Sequence, residues 1–411
     1  MRTHIAQLLP HLVLAALALG FVQLDAITGL WRTLAQPAMI TVAILSAVLA
    51  LRFFRPAILL GALTLVLASL ALDELPALLA EAEVDPHTLG RLLPLALPPT
   101  FALFALLPER GLRSLPGVVR LLWLPLLALL LLSLSRPPWN EKIAPVSEAL
   151  LSAYLPLHSL DLLGVGEPAL LLLLVSLPLL LIPWIRQADA LRIAWISSLL
   201  LGMAALSSEV PEEARPWLFA LAGAALLTGL FEHAHALAYR DLLTGLPGRR
   251  ALMEELQRVA GTWTIAVLDI DHFKNFNDTW GHDLGDVVLQ RVARALQLVG
   301  GGGRAYRLGG EEFTIVFRGR SADQAEPHLE ALRKDIAAIE IDTSAEAGAG
   351  GKRRSRKKKV CVTASIGAAE SNAELRSPAA LLKRADQALY KAKSEGRNRV
   401  HIERMKGRKA A

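Results

Sequence analysis

Apolar residues along this chain follow two regimes. Up to about residue 233 they come in long Leu- and Ala-rich blocks, and from Arg240 onward they alternate with charged residues at strand and helix periods. A helix needs roughly 20 mainly apolar residues to cross the hydrocarbon core of a bilayer. Blocks that qualify are centred in 5–23, 37–54, 57–72, 91–107, 117–135, 168–185, 191–207 and 215–233. The pattern thus predicts an all-α polytopic membrane domain of about eight transmembrane helices, the fourth kinked or broken by Pro94, Pro98 and Pro99. Beyond it, the pattern predicts a buried strand over Trp263–Ile270, a helix over Asp286–Leu298 and a hairpin over Ala305–Phe317 folded at Gly309-Gly310. A helix near 322–338, a strand at 360–367, a helix at 377–393 and a strand at 399–403 complete an α/β domain.

The organisation that follows is a membrane domain over 1–233, a short helical linker over 234–240 and a soluble domain over 241–411. Lys and Arg near helix ends favour the cytoplasm. With an inside N-terminus, the inside segments hold Arg2, Arg52, Arg55, Arg110, Arg113, Arg120, Arg186 and Arg192, while the outside loops hold Asp73, Glu74, Glu81, Glu83, Asp85, Glu209, Glu212 and Glu213. Both the N-terminus and the C-terminal domain are therefore expected in the cytoplasm, with the first block a retained helix rather than a cleaved signal peptide.

Composition agrees. Hydrophobic residues make up 53% of 411 residues, with a mean hydropathy of +0.40, too high for an ordinary soluble protein. The net charge of +6 is local, because the run from Lys352 to Lys359 carries seven positive charges and leaves the rest of the chain at −1. That run sits in an inserted loop at 346–359, read either as a solvated loop or as a contact for anionic lipid headgroups. The single cysteine, Cys361, excludes an intrachain disulfide and a thiolate-rich metal site; its apolar neighbours suggest a buried, inert thiol. His11, inside the first span, reads as a packing residue, and no intramembrane carboxylate or lysine marks an ion path. The long loop from Arg136 to Glu167, with Trp139, Tyr154 and His158, is either a ligand-binding segment or a plain connector.

The chemistry concentrates in Leu268-Asp269-Ile270-Asp271-His272-Phe273-Lys274 and Arg307-Leu308-Gly309-Gly310-Glu311-Glu312-Phe313. Acidic clusters at a strand end and in a glycine turn are a common way to build a site for a divalent metal and a nucleoside triphosphate. Gly309 and Gly310 let the backbone approach a phosphate closely. Asp286 follows Gly285 and also suits a helix N-cap.

Taken in order, these segments, together with Asp241-Leu242-Leu243-Thr244-Gly245-Leu246-Pro247, Asn277-Asp278-Thr279-Trp280-Gly281-His282, Gly285-Asp286, Thr363-Ala364-Ser365-Ile366-Gly367, Ala385-Asp386-Gln387-Ala388-Leu389-Tyr390, Lys393 and Gly396-Arg397-Asn398, resemble the GGDEF domain of diguanylate cyclases over 240–403. The resemblance implies a nucleotidyl-cyclase-like α/β fold with a central, mostly antiparallel sheet flanked by helices. It also implies condensation of two GTP into cyclic di-GMP and two pyrophosphates by a homodimer of facing domains.

By the same resemblance, Asp269, the carbonyl of Ile270 and Glu311 hold Mg²⁺ (or Mn²⁺), with Glu312 close by. Glu311 takes the 3′-hydroxyl proton, Asn277 and Asp286 read guanine, and Lys274, Lys393 and Arg397 hold phosphates. His282 either contacts the nucleotide or braces its loop, and Phe273 belongs to the core. GTP and the lipid bilayer are the implied partners, with no nucleic acid and no direct contact to downstream cyclic di-GMP receptors. The implied place is the bacterial inner membrane. The chain departs from the family at Gly300-Gly301-Gly302-Gly303, where many members carry an Arg-x-x-Asp product-inhibition pair, and at Gly248, where asparagine is usual. An inactive GGDEF module that binds GTP or cyclic di-GMP as a receptor is the alternative.

Overall fold

The computed structural model describes residues 2–23, 29–73, 83–111, 113–151, 164–258, 261–342, 359–371 and 377–403. Two compact units divide the chain at Ala234/His235.

The first unit is helical: α1 (Arg2–Gln23), α2 (Gly29–Arg52), α3 (Pro56–Asp73), α4 (Pro86–Leu106), α5 (Leu115–Leu134), α6 (Trp139–Leu151), α7 (Glu167–Arg186), α8 (Ala190–Ala205) and α9 (Arg215–Tyr239). Among the described residues, six helices are long and apolar enough to cross a membrane; the segments Pro56–Leu72 and Ala190–Ala205 are apolar but shorter. At 1.5 Å per residue, the 16 residues of α8 rise about 24 Å, short of a hydrocarbon core of about 30 Å. The expected set of about eight thus comprises six long apolar helices and two short ones.

Polar contacts hold several helix ends of this unit together. Arg55, at the start of α3, lies 2.8 Å from Glu109 beyond the end of α4 and 2.5 Å from His233 near the end of α9. His233 in turn lies 3.4 Å from Asp189, the N-cap of α8. At the far end, Asp85 before α4 donates its amide to the Ser135 carbonyl after α5. The start of α3, the end of α4, the start of α8 and the end of α9 thus meet at one end of the bundle.

Of the two expectations for α4, kinked or broken, the second fails, since the helix runs on through Pro94, Pro98 and Pro99. Pro94 and Pro98 are buried among neighbouring helices, whose packing outweighs the local loss of amide donors. The 136–167 stretch contains α6 with Trp139, while Tyr154 and His158 lie outside the described residues. His11 is buried, with no hydrogen-bond partner on either ring nitrogen.

The second unit contains α10 (Arg249–Arg258), β1 (Trp263–Ile270), α11 (Phe273–Trp280), α12 (His282–Gln297), β2 (Arg304–Gly309), β3 (Glu312–Arg318), α13 (Ala322–Ala337), β4 (Ile341–Asp342), β5 (Lys359–Val360), β6 (Ala364–Glu370), α14 (Pro378–Ser394) and β7 (Val400–Glu403). Its main sheet has the order β2-β3-β1-β6-β7. Three pairings are antiparallel and β6–β7 is parallel. The sheet is therefore mixed, mostly antiparallel and flanked by helices.

β1 is buried along its whole length, so its period of two serves two cores. Ala266, Leu268 and Ile270 share a cluster with Phe313, Ile366 and the apolar stripe of α12. Trp263, Ile265 and Val267 share another with Leu252 of α10 and Leu381, Ala385 and Leu389 of α14. Asp269 continues the second row and emerges on the α14 side.

Several local expectations change. α12 starts at His282 with Gly281 as N-cap, so Asp286 lies inside the helix and is not its cap. The strand expected at 360–367 is split: β5 ends at Val360, β6 begins at Ala364, and Cys361 in the gap is exposed rather than buried. The apolar run there feeds two sheets, which sequence periodicity does not reveal. Apart from Lys359, the basic run lies outside the described residues.

Candidate active site

The register across β1 and β3 sets Asp269 opposite Glu312, which places Glu311, in the β2–β3 turn, beside the end of β1. Gly309 and Gly310 make that turn with φ of 144° and 54°, values that favour glycine. α14 approaches from the other side at Gly367 of β6. A side-chain carbon there would lie 1.9 Å from the Leu389 amide nitrogen, so helix and strand meet backbone to backbone. That close seat brings Lys393 within reach of β1, its Nζ 2.8 Å from Asp269 Oδ1.

Asp269, Ile270, Lys274, Glu311, Lys393 and Arg397 line one cavity of about 230 Å³ with Asp271, His272, Phe273 and Asn275. The other predicted residues surround it without lining it. Asn277 on α11 has a buried Oδ1 with no hydrogen-bond partner, and it would lie 1.9 Å from a side-chain carbon at position 285. Glycine at 285 therefore lets the Asn277 amide rest against the start of α12, while the Asp286 side chain is exposed. His282 and Glu312 are exposed, and Phe273 is a core residue.

Three carboxylates, Asp269, Asp271 and Glu311, and three cations, Lys274, Lys393 and Arg397, share this lining. Burial raises the Glu311 carboxyl above its ordinary range, and the charges of Asp269 and Glu312 push the same way, with Lys393 opposing. A buried carboxylate beside another, with an ammonium set against it, is a donor set for a hard cation. No group of three or more His, Cys, Asp or Glu converges as a metal cage among the described residues. The fit is to an ion such as Mg²⁺, which uses one or two carboxylates, keeps several waters and takes the rest from phosphates.

Two braces escaped the sequence reading. Arg307 Nη1 lies 2.7 Å from Asp241 Oδ1, and its Nη2 donates to the Gly310 carbonyl at 2.7 Å. One guanidinium thus ties the Asp241–Leu246 turn to the glycine turn. Burial tends to raise the Asp241 carboxyl, but hydrogen bonds from Thr244 and Arg307 outweigh it and hold it below the usual range. The second brace is Asp271, whose carboxylate accepts from Thr363, Ser365 and Asn398. Both lie within quoted motifs, but no local pattern indicates partners 66 to 127 residues away.

Residues 238–399 match the family model described as "Diguanylate cyclase, GGDEF domain". The second unit carries a GGDEF domain. Diguanylate cyclase A of Treponema denticola is 39% identical over 142 residues, 34% of this chain and 35% of that protein. Diguanylate cyclase VdcA of Vibrio cholerae is 38% identical over 164 residues, 39% of this chain and 45% of that protein. The crystal structure of the coiled coil and GGDEF domain of DgcB from Caulobacter crescentus in complex with c-di-GMP is 36% identical, with a TM-score of 0.37, over 42% of this chain and 90% of that one. The chain thus spans less than half the length of the two curated relatives, and the shared part is the GGDEF domain.

Proposed function

We propose that this chain is a membrane-embedded diguanylate cyclase that condenses two GTP into cyclic di-GMP and two pyrophosphates. The observation that carries it is the convergence of Asp269, Glu311, Lys393 and Arg397, from three separate elements, on one cavity within a GGDEF domain.

Each bond forms between the 3′-oxygen of one GTP and the α-phosphorus of the other, and the α–β phosphoanhydride breaks to release pyrophosphate. The family is in general metal-dependent, and Mg²⁺ held by Asp269, the Ile270 carbonyl and Glu311 would neutralise phosphate charge as the bond order shifts. Glu311 accepts the 3′-hydroxyl proton. Its raised carboxyl range suits it to that task better than an ordinary glutamate. Lys393, Arg397 and Lys274 hold the phosphates that leave. Asn277 and Asp286 read the guanine edge, the exposed Asp286 carboxylate accepting from its N1 and N2 donors.

One domain holds one GTP, so two chains pair with their GGDEF domains face to face. The membrane domain, residues 1–233, would govern that pairing through the last turns of α9. The GGDEF domain sits on the cytoplasmic side, a placement supported by the arginine-rich loops at the Arg55–Glu109–His233–Asp189 end of the bundle.

The domain also works without the Arg-x-x-Asp product site. Side chains at 300 or 301 would come within 2.8 Å and 2.3 Å of the His328 ring, and one at 303 within 2.7 Å of Phe317. Side chains at 300, 301 and 303 would therefore have to displace His328 or Phe317.

Full-length protein in detergent, incubated with GTP and Mg²⁺ and resolved by mass, tests the assignment. Cyclic di-GMP from wild type and not from Glu311→Gln is expected; GTP binding without turnover in wild type would replace the cyclase by a receptor.

A further inference from the structure

Asp269 and Asp271 are two apart at the end of one strand, and sequence alone makes them equivalent acids. Tertiary structure separates them. Asp269 meets Lys393, whereas the oxygens of Asp271, a residue only 7% exposed, are taken by protein donors. Oδ1 accepts from Ser365 Oγ at 2.7 Å. Oδ2 accepts from Thr363 Oγ1 at 2.7 Å and from the Asn398 amide at 3.1 Å. The Asp271 amide donates to the Thr363 carbonyl at 2.9 Å.

The Asn398 bond is the informative one. Gly396, Arg397 and Asn398 have φ of 114°, 62° and 44°. Two consecutive non-glycine residues in the left-handed region persist only where the surroundings hold them. The Asp271 carboxylate holds the Asn398 amide, and Arg333 Nη1 holds the Asn398 side-chain oxygen at 2.7 Å. This turn carries Arg397 to the cavity wall, and it directly follows the end of α14 that carries Lys393.

We propose that Asp271 is a positioning residue for the triphosphate: it acts through Arg397, by fixing the left-handed turn that aims this guanidinium into the cavity, and does not itself bind metal. The proposal rests on the nucleotide-binding reading of the cavity. Asn in its place removes the carboxylate charge and leaves one neutral oxygen where two ionised ones now accept from Thr363, Ser365 and Asn398. The Asn398 amide then loses its charge-assisted anchor while the core of β1 is kept.

The test is a cycle of Asp271→Asn, Arg397→Ala and the double variant in the full-length protein, read as KM for GTP, kcat and the Mg²⁺ concentration for half activation. Losing a charge-assisted phosphate contact corresponds to roughly a 10- to 100-fold rise in KM. The expected result is a rise of that order in either single variant and no further rise in the double, with the Mg²⁺ midpoint unmoved. Adding Asn398→Gly, which takes the left-handed conformation freely, should recover much of the loss in Asp271→Asn. Independent, multiplying effects of the two substitutions, or a Mg²⁺ midpoint shifted by Asp271→Asn alone, would overturn the proposal. Should wild type bind GTP without turnover, the cyclase reading fails by itself, and the same cycle in GTP affinity decides this one. If Asp271→Asn does not fold, Thr363→Val with Ser365→Ala removes two donors around the carboxylate. A folded double variant of this kind that matches Arg397→Ala in KM supports the latch, and one with wild-type KM refutes it.

Discussion

Lys393 Nζ stands 2.8 Å from Asp269 Oδ1, a side-chain ion pair at the point where the proposed site needs a divalent cation. The ammonium occupies the field that a metal would share, and substrate phosphates offer it a second partner. Lys393→Ala is accordingly expected to leave Mg²⁺ affinity unchanged or tighter, while raising KM for GTP by roughly 10- to 100-fold. Titration of Mg²⁺ at saturating GTP and of GTP at saturating Mg²⁺ separates the two; a weakened metal midpoint with unchanged KM would contradict the assignment.

Glu311 has a testable stability cost. Its folded-state carboxyl is raised by burial first and then by Asp269 and Glu312. Stability tied to this group is therefore present below its unfolded pKa and lost as pH rises through the folded value. At neutral pH without metal, Glu311→Gln should melt above wild type. With Mg²⁺ and GTP the order should reverse, because only wild type gains fully from the ion. Turnover should fall by at least about 100-fold, the usual loss for a proton acceptor. Melting curves with and without Mg²⁺, at neutral pH and near pH 4, check both signs.

The Arg307–Asp241 pair joins two turns 66 residues apart, with Arg307 buried. Arg307→Ala leaves Asp241 with Thr244 as its donor and without its cation, and removes the side-chain donor to the Gly310 carbonyl, for an expected loss of about 2–4 kcal/mol. Asp241 is held below the usual range, so its contribution is present above the unfolded pKa and is lost as pH falls through the folded one. The deficit of the variant in denaturant unfolding should consequently be large at neutral pH and shrink in acid. A deficit independent of pH would place the cost in packing instead.

The glycine loop at 300–303 gives a different kind of prediction. Gly301, with φ of 68°, would set a side-chain carbon 2.3 Å from the His328 ring. Gly301→Ala should cost more than about 1 kcal/mol, and His328→Ala should return only the steric part, leaving the backbone strain. Turnover of wild type should be insensitive to micromolar cyclic di-GMP. Grafting Arg at 300 and Asp at 303 should not introduce inhibition while His328 and Phe317 keep their places.

Much of this protein could be read from one dimension. The membrane blocks, the strand at 263–270, the glycine turn and the final helix are local, because hydrophobic period and turn residues act within a few positions. The ordered motifs likewise marked out the GGDEF domain and most of the cavity lining. Cys361 was misjudged because an apolar run shows a need for burial but not which strand ends where. Asp286 suits a cap by local pattern, but Gly281, five residues earlier, already starts the helix.

What sequence determined alone is the set of chemical groups and their local frames: two acids beside a glycine turn, cations at the end of a helix, and apolar helices before them. Tertiary structure decided which of them meet. The β1–β3 register sets Glu311 beside Asp269, the bare backbone of Gly367 lets α14 carry Lys393 to them, and Asp271, at the cavity wall, has its oxygens taken by Ser365, Thr363 and Asn398. These pairings join groups far apart in the chain, and their energies depend on distance and burial, which no local pattern of residues encodes.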